Sequence, residues 1–168
     1  MSMIRMDIES IVVGNGPMSS LVILRPRHSS LKDGQTQLPI CIGTAEAGAI
    51  GMSLESVPHN RPLTHELFKT ALKTLGAKIT SVSIYKVEGT TFFASLHLLT
   101  PQNERKALDC RPSDAIALAL QAHAPIFVDS DVLVTASFPD FKAVKKDEQS
   151  RELKKFHTFI NSVSPDDF

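Results

Sequence analysis

Twice in this chain a short apolar segment of strand character meets a tight corner and continues directly into a helix with a carboxylate in its first turn. Pro39-Ile40-Cys41-Ile42-Gly43-Thr44-Ala45-Glu46-Ala47 does so first, and Ala107-Leu108-Asp109-Cys110-Arg111-Pro112-Ser113-Asp114-Ala115 repeats the plan. Two segments that read as antiparallel strands come before each corner. A chain built as two strand-strand-strand-helix halves cannot wind alternately into a parallel sheet. It predicts an α+β fold with a mixed or antiparallel sheet and helices packed against it.

The punctuation between the two corners agrees with that plan. Strands are expected at Ile4 to Val13, Leu21 to Arg25 and Leu38 to Ile42, with Gly14-Asn15-Gly16-Pro17 as a dense turn signal between the first two. Thr44 to Ser56 has Ala47, Ile50 and Leu54 at helical spacing, weakened by Gly48 and Gly51. Thr64 reads as the N-cap of a second helix, with Leu63 and Phe68 at staple spacing and Gly76 as its stop. Ile79 to Lys86 and Thr91 to Leu99 flank Glu88-Gly89 as a hairpin, although the apolar spacing Ile79, Val82, Ile84, Val87 is irregular. Lys106 to Cys110 reads as a strand, Pro112 as a first helical residue, and Ser113 to Ala122 as an alanine-rich helix. Ala124 to Val128 is a buried strand, and Val132 to Ala136 a helical turn or strand. Residues 1–136 are expected to form one domain, and 137–168 a charged linker with a C-terminal helix whose apolar stripe is Phe156, Phe159 and Ile160.

The 168 residues carry 18 Lys and Arg against 18 Asp and Glu, so no net positive field gathers a polyanion over a broad surface. Met1 to Ser10 mixes Arg5, Asp7 and Glu9 with single apolar residues, which is not a signal-peptide core. No apolar run approaches the roughly 20 residues that span a bilayer. Cys41 and Cys110 stand alone, without zinc spacing, and are expected to be small buried hydrophobes. A reduced, cytoplasmic chain with no membrane partner is the expectation.

Two polar runs can carry chemistry. Asp109-Cys110-Arg111-Pro112-Ser113-Asp114 places two carboxylates, a guanidinium and a hydroxyl at a helix N-terminus, where backbone N–H groups favour anions. The structural alternative is that Ser113 caps, Asp114 complements the helix dipole, and Arg111 pairs with Asp109 or Asp114. His59-Asn60-Arg61-Pro62-Leu63-Thr64-His65 stiffens an arginine that can grip phosphate through two parallel hydrogen bonds, and sets a histidine in a first helical turn. Its alternative is a polar loop with a surface histidine. Glu46 repeats the acidic first-turn position of Asp114, and its alternative is a dipole-matched helix start.

In this order the runs resemble the bifunctional nuclease family, whose members are described as cutting both DNA and RNA. Leu38-Pro39-Ile40 with Gly43 and Glu46-Ala47, Arg61-Pro62-Leu63-Thr64-His65, Asp109 with Arg111-Pro112-Ser113-Asp114-Ala115-Ile116-Ala117-Leu118, Ala124-Pro125-Ile126-Phe127-Val128, and the Lys155-Phe156 to Phe168 end carry the likeness. Cys110 stands where alanine is expected, Glu66 where aspartate is common, and the segment before the final helix is lysine-bearing rather than acidic. The resemblance implies an α+β domain forming wedge-shaped homodimers, with a groove that holds the active site and DNA and RNA as its substrates. Phosphodiester cleavage needs an activated water, charge stabilisation and a proton for the leaving oxygen. On that reading Arg61 and Arg111 clamp phosphate beside Ser113, and His65 is the acid or base. Asp109, Asp114 and Glu46 hold a divalent cation or orient the arginines. Oxygen ligands favour magnesium or manganese if a metal is used, and the same groups can form a neutralised network without one. The other functional class is a non-catalytic dimeric regulator that binds an anion or a partner.

Overall fold

The computed structural model describes residues 2–14, 20–27, 36–55 and 60–139. Three strands and a helix come first: β1 (Met3–Val12), β2 (Ser20–Pro26), β3 (Thr36–Ile42) and α1 (Thr44–Leu54). After α2 (Thr64–Thr74) the same order returns as β4 (Lys78–Glu88), β5 (Thr91–Leu99), β6 (Arg105–Cys110) and α3 (Pro112–Ala122). The chain then forms β7 (Ile126–Asp129), α4 (Ser130–Ala136) and the two-residue β8 (Phe138–Pro139). The strand order is β6-β5-β4-β7-β1-β2-β3-β8. Each half is therefore an antiparallel meander, and β7 joins them, parallel to β4 and antiparallel to β1. This is the mixed α+β sheet of two strand-strand-strand-helix halves that the repeat implies.

The irregular apolar spacing in the hairpin has a mechanical cause. Side chains alternate faces with period two, so a three-residue step between core residues needs an extra residue in the strand. The steps from Ile79 to Val82 and from Ile84 to Val87 coincide with register shifts between Ile79 and Ser81 and between Ile84 and Lys86. In β1 the step from Ile8 to Ile11 coincides with a shift between Ile8 and Ser10. The bulges keep one apolar face aimed at the core throughout.

That core draws Met6, Val22, Leu24, Leu38 and Ile40 from the first meander, and Val82, Ile84, Ala94 and Leu96 from the second. Helix α3 contributes a continuous buried run, Ala115 to Ala119, because it contacts β4 and β5 on one side and α1 and α2 on the other. A helix apolar nearly all round belongs in such a middle position. Its small alanines let the neighbours approach.

Helix ends position the site. Helix α2 starts one residue earlier than expected: Leu63, not Thr64, is the N-cap, and its N–H donates to Glu66 Oε2 at 3.0 Å. It ends at Gly76, whose φ of +76° lets Gly76 N–H reach Lys73 O and Ala77 N–H reach Leu72 O. A side chain at Gly76 would also collide with Pro101. Residues 132–136 are helical rather than extended, and the N-cap is Asp129, which accepts from Asp131 N–H at 2.9 Å. Cys41 is exposed rather than buried, because the residues alternating with Leu38, Ile40 and Ile42 face away from the core.

By contacts the chain divides into Met1–Phe138 and Pro139–Phe168, and of the second unit only Pro139 is described. The expected C-terminal helix and most of the Gly14-Asn15-Gly16-Pro17 turn lie outside the described residues. No described helix is long and apolar enough to cross a membrane.

Space decides what the glycines inside α1 cost. A Cβ at Gly48 or Gly51 meets nothing within 4 Å, so no close packing requires either glycine. Gly48→Ala and Gly51→Ala are each expected to stabilise the fold by about 0.5–1 kcal/mol through helix propensity. Chemical denaturation checks this, and a lower midpoint for either variant would contradict it.

Candidate functional site

The two corners occupy equivalent places in the halves. Gly43 is the N-cap of α1 and Arg111 the N-cap of α3, both with extended backbone, so Glu46 and Asp114 each become the third helical residue. There each carboxylate complements a helix N-terminus. Arg111 bridges them across the repeat. Its Nε and Nη2 donate to Asp114 Oδ2 and Oδ1 at 2.8 and 3.1 Å, and Nη1 donates to Glu46 Oε1 at 2.9 Å.

His65, in the first turn of α2, completes the group: its Nε2 lies 3.2 Å from Asp114 Oδ1. Burial alone pushes the Asp114 carboxyl up, but hydrogen bonds from Arg111 and His65 and the Arg111 charge outweigh it and hold it below its usual range. Arg111 is pushed further up, first by its bonds and proximity to Asp114 and then by Glu46. It stays charged throughout.

Gly43 carries part of the resemblance in the sequence, but its steric part at the corner is not legible there. A Cβ there would overlap the Glu46 carboxylate, so the missing side chain is what lets Glu46 fold back over its own corner. Laying the repeat over itself puts Gly43 on Arg111, and that was the available signal. Beside the bridge opens a pocket of about 290 Å³ lined by Gly43, Arg111 and Ser113 from the two helix N-termini and by Thr90 and Thr91 of the hairpin turn. Ser113 does not cap. It sits nearly buried one residue before Asp114, and α3 has no side-chain cap.

Asp109 is not part of the cluster. It pairs in register with Ser95, on the sheet face turned away from the core, and accepts from Tyr85 Oη at 3.1 Å. Arg61 is exposed in the segment leading into α2, with no hydrogen bond or ion pair among the described residues. The donor set bears on the metal question too. Among the described residues no three His, Cys, Asp or Glu side chains gather to hold an ion, and a carboxylate triad of Glu46, Asp109 and Asp114 does not form. Burial and then the Asp109 and Asp114 charges push the Cys110 thiol up to about 11, which disfavours the thiolate at neutral pH.

Residues 29–140 match the model of the bifunctional nuclease domain. The chain belongs to that family. It is also 38% identical over 144 residues to the uncharacterized proteins MT1877 and Rv1829 of two Mycobacterium tuberculosis strains, covering 81% of this chain and 83% of each relative. The matched region of this bifunctional nuclease domain spans both corners, Arg61 and His65.

The low Asp114 value makes the cluster acid-sensitive. A carboxyl held below its unfolded value of about 3.9 adds stability above that pH, and the gain is lost as pH falls through the folded value. Thermal unfolding between pH 7 and pH 3 should show a steeper loss below about pH 4 for wild type than for Asp114→Asn. Parallel curves would contradict this origin.

Proposed function

We propose that this chain hydrolyses phosphodiester bonds of DNA and RNA at the corner cluster, with His65 as the base and Arg111 beside the phosphate. The observation that carries the reading is the Asp114 carboxylate shared between His65 Nε2 and the Arg111 guanidinium. An ionised carboxylate only accepts hydrogen bonds, so His65 Nε2 must carry the proton. In the neutral ring that leaves the Nδ1 lone pair to take a proton from water as its oxygen attacks phosphorus. The new P–O bond forms as the bond to the leaving oxygen breaks; that oxygen takes up a proton from water, and His65 releases the proton it accepted to solvent. Arg111 spends three of its five N–H donors on carboxylates, and its side chain is 65% exposed, so two donors remain for phosphoryl oxygens. The adjacent pocket, with two helix N-termini and two threonines, suits a phosphate group. Arg61 supplies a further phosphate contact along the strand. Asp109 serves this reading only indirectly, through its position on the strand that leads into the corner. No step is assigned to a metal.

The test is cleavage of single-stranded DNA and RNA by rigorously purified protein. His65→Ala and Arg111→Ala should each lower turnover by about 100-fold or more while the proteins stay folded. Cleavage that survives both substitutions would sink the enzyme reading.

One observation favours a second reading. Arg111 already faces two carboxylates, so the cluster of Arg111, Glu46 and Asp114 sums to one negative charge when His65 is neutral. A network whose guanidinium is already matched by carboxylates suits a non-catalytic regulatory module that binds an anion or a partner. Oligonucleotide binding separates the two, because phosphate-tracking weakens steeply as salt rises.

Self-association belongs to the same proposal. Helix α2 has an apolar stripe but no buried residue, and Leu67 and Leu75 are 59% and 73% exposed. Such a stripe fits a homodimer interface. Leu67→Asp should move the chain from dimer to monomer in sedimentation equilibrium, and an unchanged mass would remove α2 from the interface. A cytoplasmic location, where the exposed Cys41 thiol stays reduced, completes the reading.

A further inference from the structure

The sheet face opposite the core holds a second cavity, of about 680 Å³, which shares no lining residue with the pocket beside the Arg111 bridge. The β4–β5 register places Ser81 opposite His97 and Ser83 opposite Ser95, all on that face. Ser83 Oγ and His97 Nε2 form a hydrogen-bonded pair at 2.8 Å on the cavity wall. Ser83 is only 5% exposed, although the core lies on the other side of the strand. Burying a polar pair costs free energy that an apolar pair would not, so the sheet alone gives no reason for it.

The rest of the lining is lopsided in charge. Among the described residues it includes Arg105 and Lys106 and no aspartate or glutamate. Lys106 is already paired with Glu104, at 2.7 Å, whereas Arg105 has no carboxylate partner among the described residues. Leu99 and Phe127 supply apolar wall. A concave, mainly apolar space with a few convergent polar groups is the common form of a small-molecule site, and its volume falls in the usual range.

We infer that this cavity binds a small amphiphilic anion, an aryl phosphate or aryl carboxylate, with its charged head at Arg105 and the Ser83–His97 pair and its ring against Leu99 and Phe127. The head is recognised by a guanidinium and by an imidazole–hydroxyl pair that can donate to it. The ring replaces water on the apolar wall. The site is independent of the corner cluster and of any nuclease activity there.

The experiment is a calorimetric titration of the full chain with phenyl phosphate and with benzoate, beside phenol and inorganic phosphate. At least one of the two aryl anions should bind about ten-fold or more tightly than both phenol and inorganic phosphate, and which one does so identifies the head group. Arg105→Gln should weaken that binding about ten-fold. Ala107→Trp, on the exposed edge strand β6, should do the same by filling the space. Arg111→Gln should leave it within about two-fold, which separates this site from the corner pocket. Unchanged thermal midpoints show that the variants are folded. Equal binding by wild type, Arg105→Gln and Ala107→Trp would overturn the inference. So would loss of binding in Arg111→Gln, or an aryl anion that binds no better than inorganic phosphate.

Discussion

The Arg111 guanidinium is the point at which the two halves of the chain meet chemically. It stands at the N-cap of α3, grips the carboxylate of its own helix through two parallel bonds, and reaches 65 positions back to Glu46 on α1. With 65% of its side chain exposed, the bridge contributes little to global stability, since solvent screens such pairs to about 0–1 kcal/mol. Its value is geometric. Bidentate pairing fixes the plane of Asp114, and the fixed, ionised Asp114 in turn fixes the His65 ring and its proton. Remove the guanidinium and both consequences fail, although the sheet beneath keeps its apolar contacts.

This division between a fold held by burial and a site held by polar geometry explains what the sequence disclosed. Apolar periodicity marks the strands, because each alternates against one continuous core. Where it breaks, between Ile79 and Val82 or between Ile84 and Val87, a bulge restores it. The repeat of strand, corner and helix carried the topology, since two equal meanders joined by β7 give the observed strand order. Glu46, Asp114, Arg111 and His65 were visible as residues of the right kind at helix starts. Their convergence was not, because spacing along the chain says nothing about a bond between positions 46 and 111.

Asp109 shows where linear proximity misleads. It lies five residues before Asp114 and reads as part of one polar run, yet a strand sends neighbours to opposite faces. Strand β6 gave no warning: as an edge strand it is exposed at Arg105 through Asp109, so no apolar alternation declares which residues face the core. The pairing with β5 decides it, by setting Asp109 beside Ser95 and Cys110 beside Ala94. The Ser83–His97 pair was hidden for a related reason. Its two members belong to different strands and are not cross-strand partners: Ser83 lies opposite Ser95 and Ser81 opposite His97, so the bond runs diagonally. Gly43 was hidden by its size, since its contribution is the space it leaves to Glu46.

Charge then constrains what the corner can do. A phosphodiester brings one more negative charge to a cluster that already sums to minus one when His65 is neutral. Two unit charges about 4 Å apart interact by about 1 kcal/mol in water and about 4 kcal/mol near a protein surface. The carboxylates therefore oppose entry of an anion, against the outward donors of Arg111 and two helix N-termini. On the proposed reading, an arginine held in place by carboxylates in a chain of zero net charge reads one phosphate by geometry, whereas a broad basic surface would hold many by field.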